Sequence, residues 1–179
     1  SSGTHQLRTR GGRVTVDVPA AGDVTVDMGE AVHLPDVQTV SASGRTWSGA
    51  AAVLMPNPHI VCSVESVADA GDLAESPQHH PSQVFADGAN YEFIEHREAN
   101  HLRMRVYERG VGETKSCGSG ACAAAAAVAL ADGRPRPWTI RVDVPGGTLS
   151  VSSDAAGRIS LTGPAQVTAH GSTWLTRGD

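Results

Sequence analysis

A chain of 179 residues is long enough to bury a core of its own, as one good-sized domain or two small ones. Acidic residues outnumber basic ones by 19 to 14, which gives a formal charge of -5. The only basic cluster is modest, so the charge excludes the footprint of a nucleic-acid-binding protein; it comprises Arg97, Arg103, Arg105 and Arg109. The longest apolar run, residues 121–131, is too short to cross a bilayer, and no signal-peptide pattern opens the chain. We therefore expect a cytoplasmic protein without membrane or nucleic-acid partners.

Short alternating segments begin the chain. The segment GRVTVDV (12–18) places Val14, Val16 and Val18 on one face, which predicts a half-buried strand. DVTVDM (23–28) repeats the pattern after a turn at 19–22. The opening letters SSGTHQL have no recognisable structural role.

Further strands are predicted along most of the remaining chain, at VQTVSA, RTWSGAAAVL, HIVCSV, NYEFIEH, HLRMRVYE, WTIRVDV, GTLSVS and RISLT. The turn at 145–147 predicts a hairpin between two of the late strands. Residues 66–83 read as a loop with a short helix at 67–74. His79 and His80 lie in this loop without an acidic or cysteine partner at ligand spacing, so we interpret them as surface residues and predict no metal site.

One helix stands out, from Ser119 or Gly120 to Ala131. It is apolar on every side, and such a helix must be buried. Asp132 and Gly133 mark its end. The sequence therefore predicts an α+β fold, in which a mixed or antiparallel sheet wraps around one central buried helix.

Cys117 lies just before this helix. Unpaired amides and partial positive charge at a helix N-terminus stabilise a thiolate, so we expect a Cys117 pKa below its ordinary value. The small neighbours Gly118, Ser119 and Gly120 would let a ligand carboxylate reach the bare amides. The residues alone leave two interpretations open, because a free cysteine in an apolar segment is often a small buried hydrophobe. The other two cysteines, Cys62 and Cys122, are interpreted as core residues.

Polar residues precede or follow three of the predicted strands. Glu108 and Arg109 end one strand; they could hold a zwitterionic ligand or form a solvated rim. Asn57 and His59 open another strand, where the imidazole could tune a thiol pKa or serve the structure alone. Asn90 opens a third strand. Taken singly, each signal is weak.

Together these residues resemble one family. YERGVGETKSCGSGACAAAAAV (107–128) strongly resembles the second cysteine motif of diaminopimelate epimerases, and NPHIV, DGANYEF, VTVDMG, VPGGTLSV and ISLTGPAQVTAHG also look like that family. The resemblance implies a cofactor-independent isomerase of lysine and peptidoglycan biosynthesis that interconverts LL- and meso-diaminopimelate. Proline racemases and phenazine-pathway isomerases are looser relatives with the same fold.

The resemblance also implies residue roles. In the family, two cysteines face each other across the substrate α-carbon; one removes a proton and the other delivers one. Cys117 matches one of them, and Gly118 and Ser119 match residues that hold the reacting carboxylate. The remaining matches grip the distal end of the substrate (Asn57, Asn90, Glu108 and Arg109) or adjust cysteine pKa values (His59 and Glu108). Two departures are Ser119, where threonine is more usual, and Pro56, where glycine is.

The family has two similar domains, and the first carries a Cys-Gly-Asn-Gly motif that this sequence lacks. We therefore expect residues 1–28 to be crossover strands from a first domain, 29–162 to be the C-terminal domain with its helix at 119–131, and 163–179 to be a tail returning to the first domain. Such a chain would be inactive alone. Its partners would be diaminopimelate, the first domain and, as in the family, a second copy.

Two alternatives stay open. The chain could be a non-catalytic amino-acid-binding domain of the same fold, or another racemase acting on proline-like substrates. Glu108 and Arg109 argue against the second, because a substrate without a distal zwitterion has no use for that pair.

Overall fold

The computed structural model describes residues 2–9, 12–169 and 171–172. Its one α-helix in these residues is α1 (Gly118–Ala131), and short 3-10 segments lie at Val67–Ala70 and Ser82–Phe85. The thirteen strands are β1 (Gly3–Thr9), β2 (Gly12–Val18), β3 (Val24–Glu30), β4 (Val32–Ala42), β5 (Arg45–Leu54), β6 (Pro58–Ser63), β7 (Gln78–His80), β8 (Asn90–Glu98), β9 (His101–Glu108), β10 (Gly112–Thr114), β11 (Trp138–Val144), β12 (Gly147–Ser153) and β13 (Arg158–Gly163).

All thirteen strands belong to one sheet. Twelve of them follow the order β1-β2-β3-β13-β12-β11-β9-β8-β6-β5-β4-β7, and β10 pairs with β9. Two neighbouring pairs, β6 with β8 and β9 with β11, run parallel. The other pairings between described strands are antiparallel, including the predicted β11–β12 hairpin. The mixed sheet of the sequence prediction is confirmed.

Helix α1 is the axis of the main core. Its alanines from 121 to 129 are buried, and those at 121 and 123–125 are fully covered. The side chains around them come from strands between β5 and β13 in the sheet order, among them Val53, Ile94, Met104, Val142 and Ile159. Because alanine adds only a methyl group, strands can approach the helix closely from several directions. The prediction of a sheet around a central apolar helix is confirmed.

Both ends of α1 are capped. The helix begins at Gly118, one residue before the earliest predicted start, because Cys117 is the N-cap in extended conformation. At the other end Gly133 takes a positive φ of 61°, and the Arg134 amide donates to the Ala129 carbonyl at 2.9 Å. This hydrogen bond closes a Schellman motif and ends the helix where the sequence predicts.

A second core lies on the face of the sheet away from α1, covered by the segment between β6 and β8. Its 3-10 turn is shorter than the predicted helix, because Gly71 follows it with a positive φ of 71°. Residues 78–80, predicted as loop, form the short strand β7 along β4. His79 there is half-buried and bonds the Tyr91 hydroxyl through Nδ1 at 2.8 Å, so its interpretation as a surface residue is wrong.

Most residues of the opening segment SSGTHQL have a structural role that the sequence did not indicate. They lie largely in β1, which pairs with β2 in a register that sets Leu7 against Val14. The expected domain boundaries fall within β3 and β13 and stay predictions, and residues 170 and 173–179 of the expected tail lie outside the described residues. In the part of the chain that is described, no helix has the length and apolarity to span a membrane.

Candidate active site

Three strand ends meet at one edge of the sheet. Strands β6 and β8 are parallel neighbours, and His59 lies beside Asn90 at their starts. Strand β9 runs antiparallel to β8 and ends there at Glu108. The fold thus brings Asn57, Asn90 and the adjacent pair Glu108 and Arg109, from three distant parts of the sequence, to one edge.

Asn90 ties this edge together. Its Oδ1 accepts a hydrogen bond from the Arg109 backbone amide at 2.9 Å, and its Nδ2 donates to the Pro58 carbonyl at 3.3 Å. The residue is 6% exposed. Both ends of its amide therefore hold backbone, which fixes the start of β6 relative to the loop after β9.

Glu108 and Arg109 point to different partners. The Arg109 guanidinium donates through Nη1 to the carbonyls of Asp87 and Gly88, at 3.3 and 3.2 Å. The Thr114 hydroxyl donates to Glu108 Oε1 at 2.5 Å. Among the described residues no ion pair joins Glu108 to Arg109, because each side chain is held by a different neighbour.

Cys117 lies at the mouth of α1 and is 7% exposed. The Gly120 amide donates to its Sγ at 3.4 Å, and the Ser119 hydroxyl lies 3.6 Å away. Burial raises the pKa of the Cys117 thiol, and the carboxylates of Glu92 and Glu108 raise it further; the Ser119 and Gly120 contacts oppose this without reversing it. The expectation of a lowered pKa is therefore wrong for this structure, because burial and two nearby acids outweigh the helix terminus.

The other two thiols behave as core residues. Cys62 and Cys122 are 2% and 0% exposed, and burial raises the pKa of each to about 12. Neither is suited to proton transfer near neutral pH.

Sequence reasoning missed Glu92. It is fully buried, and its Oε1 lies 2.7 Å from His59 Nδ1. Burial raises the pKa of the Glu92 carboxyl, while His59 acts in the opposite direction. The signal was available: β8 places Glu92 on the same face as Ile94, which packs in the core around α1.

His59 links Glu92 to Asn57. Its ring is fully buried, and its Nε2 lies 3.0 Å from Asn57 Oδ1. The imidazole thus spans the distance between a buried acid and a half-buried amide at the strand edge. Among the described residues its hydrogen bonds are with these two side chains, and a direct effect on Cys117 stays a prediction.

The raised pKa of Cys117 predicts slow alkylation near neutral pH. We expect reaction with iodoacetamide to increase with pH and to reach half its maximum above the ordinary thiol value, since only the thiolate reacts. Glu108→Gln should move this midpoint to lower pH by removing one carboxylate. Rates followed by mass spectrometry test this, with Cys117→Ser as the blank. A midpoint below that of free cysteine would contradict it.

The close approach of Glu92 to Gly120 leads to a second prediction. A Cβ at this position would lie 2.6 Å from Glu92 Oε1, a fully buried atom held by His59. We therefore expect Gly120→Ala to lower the free energy of unfolding by about 1–3 kcal/mol, despite the better helix propensity of alanine. In the matched variant Gly118→Ala the new methyl would meet only the end of Leu161, at 2.8 Å, which can move. Urea unfolding measures both; equal effects would contradict the claim.

Solved structures define the class of fold. A predicted epimerase from Pseudomonas aeruginosa superposes with a TM-score of 0.62 at 17% identity, over 97% of this chain and 67% of that one. A hydroxyproline epimerase from Agrobacterium vitis gives 0.62 at 16% identity, over 89% and 56%. At these identities the likeness shows the fold alone, and that fold is the one of these epimerases.

Sequence comparisons show the family. The diaminopimelate epimerase family model matches residues 51–168. The diaminopimelate epimerase of Streptomyces coelicolor is 47% identical over 98% of this chain and 63% of its own length. That of Acidothermus cellulolyticus is also 47% identical, over 95% and 55%. The chain belongs to the diaminopimelate epimerase family, and it spans less than two thirds of the length of these relatives.

Proposed function

We propose that this chain is the part of a cytoplasmic diaminopimelate epimerase that supplies one of two catalytic thiols, and that it acts on LL- and meso-diaminopimelate without a cofactor. The single observation that carries this is the position of Cys117 at the N-terminus of α1, followed by the small residues Gly118 and Ser119. There a ligand carboxylate can meet helix amides while its α-carbon faces the sulfur.

The proposed chemistry needs a group that gives or takes one proton at the α-carbon. Burial raises the pKa of Cys117, which favours the thiol and hence the role of proton donor in the resting site. The helix amides would stabilise charge that develops on the carboxylate as the α-proton leaves. A protein that inverts the centre needs a second base on the opposite face of the substrate.

That second base is not among the other cysteines of this chain. Cys62 and Cys122 are buried, with pKa values of about 12. We therefore infer that the opposite thiol belongs to the portion of the relatives that this chain does not match, and that the chain alone does not epimerise.

We assign binding of the distal end of the substrate to Glu108 and Arg109. A guanidinium pairs well with a carboxylate and a carboxylate with an ammonium. Asn90 holds the Arg109 backbone in place and is 6% exposed, so we assign it mainly to positioning. Proline has no distal zwitterion, which separates this proposal from a proline-like racemase.

Calorimetric titration of the 179-residue chain tests the assignment. We expect meso-diaminopimelate to bind and L-proline not to bind at millimolar concentration. Arg109→Ala should weaken binding at least tenfold. The control is Arg97→Ala, at the far end of β8 from Asn90, where the arginine pairs with Glu95; it should not weaken binding. Equal binding of L-proline, or no effect of Arg109→Ala, would contradict the proposal.

A further inference from the structure

Three side chains form a hydrogen-bonded row beside Cys117. Glu92 Oε1 lies 2.7 Å from His59 Nδ1, and His59 Nε2 lies 3.0 Å from Asn57 Oδ1. Glu92 and His59 are fully buried. The second carboxyl oxygen of Glu92 has no hydrogen-bond partner in the described part of the chain.

The two contacts determine where hydrogens must be. An amide oxygen carries no hydrogen, so the hydrogen between Asn57 Oδ1 and His59 belongs to Nε2. The hydrogen between His59 Nδ1 and Glu92 belongs to one or the other. In either placement the Glu92–His59 pair is neutral overall, and Nε2 carries a hydrogen.

The remaining arrangement, an ionised Glu92 beside a His59 without a hydrogen on Nε2, is unfavourable for two reasons. It sets two lone pairs against each other at 3.0 Å. It also leaves an uncompensated net charge in a fully buried place, which is strongly unfavourable. The raised pKa of Glu92 agrees with one proton held between the two residues.

We propose that Glu92 is a positioning residue: with His59 it fixes the Asn57 amide so that the NH2 group, not the carbonyl, is offered to the ligand. Asn57 is then a donor only, and it selects a carboxylate and disfavours an ammonium at that point. This statement about the ligand rests on the proposed function. The orientation of the amide does not.

The hydrogens are tested by ¹⁵N NMR of the histidine-labelled chain at pH 7. We expect the His59 Nε2 signal to be that of a protonated nitrogen, and the signal is assigned by its loss in His59→Gln. In Glu92→Gln, Nε2 should stay protonated and Nδ1 should carry no hydrogen, because the glutamine amide can donate a hydrogen bond to it. An unprotonated Nε2 in the unaltered chain overturns the proposal.

The positioning role is tested by titrating the same proteins with meso-diaminopimelate. Glu92→Leu cannot hold the imidazole, so we expect about tenfold weaker binding. Glu92→Gln still makes a hydrogen bond to Nδ1, now through its amide, and should stay within about threefold of the unaltered chain. Glu95→Gln, on the opposite face of β8, is the matched control and should change neither the NMR signals nor binding.

The outcomes separate the two proposals. Equal weakening of binding by Glu92→Leu and Glu92→Gln would overturn the positioning role. The glutamine can still form the hydrogen bond to His59 Nδ1 and the leucine cannot, so equal losses would mean that this hydrogen bond does not matter. If the unaltered chain shows a protonated Nε2 but does not bind meso-diaminopimelate, the proposed function fails and the amide orientation stands. Where Glu92→Leu does not fold, the NMR result on the unaltered chain decides.

Discussion

Cys117→Ser should abolish interconversion of LL- and meso-diaminopimelate in a protein completed with the segment of the Streptomyces coelicolor relative that this chain does not match. Serine keeps the size and the hydrogen bond from Gly120, but its hydroxyl is far less acidic than a thiol. General acid–base catalysis contributes roughly 10²–10⁴-fold, and Cys117 is the group that we assign to this face, so we expect a loss of about 10³-fold. Chiral chromatography of the reaction mixture measures it.

The matched control is Cys122→Ala, five residues further along the same helix. Cys122 is fully buried and its pKa is about 12, so it cannot exchange protons with a substrate near neutral pH. Its replacement should leave the rate within a few fold wherever the protein folds. Substantial turnover in folded Cys117→Ser would contradict the assignment of the catalytic thiol.

Ala124→Leu should have the largest effect on stability. Ala124 is fully covered in the middle of α1, with strands on all sides, so three added carbon atoms have no free volume to occupy. Overpacking of such a core costs typically about 1–3 kcal/mol and sometimes more, and we expect the upper end of this range. The urea midpoint, read with an unchanged slope, measures the loss.

Leu130→Ala is the comparison within the same helix. Leu130 is 61% exposed, and substitutions at such surface positions usually change stability by less than about 0.5 kcal/mol. An Ala124→Leu protein as stable as the unaltered chain would mean that the sheet does not close tightly on the helix axis.

Much of the fold could be predicted from local pattern. An alanine-rich helix without a polar side must lie in the core. Alternation of apolar and polar residues along a strand is visible wherever one face of the sheet is buried. The same reasoning failed at β1 and β7, where pairing with a neighbouring strand decides the structure. Gln78 and His80 are exposed, and nothing in their own sequence indicates that β4 runs beside them.

The site was predicted through resemblance more than through physics. Resemblance named Asn57 and Asn90, but only the fold shows that Asn90 holds backbone on both sides. The raised pKa of Cys117 comes mainly from its burial, and Glu92, which lies 25 positions earlier in the sequence, adds to it. Such long-range terms cannot be read from a helix N-terminus alone.

We propose that this chain holds one thiol of a two-thiol site. The most direct measurement compares the rate of LL- to meso-diaminopimelate conversion by the 179-residue chain alone with that of the completed protein. We predict turnover by the completed protein and none at an enzyme-like rate by the chain alone. Comparable rates from the two would contradict the claim, because one thiol would then suffice for inversion.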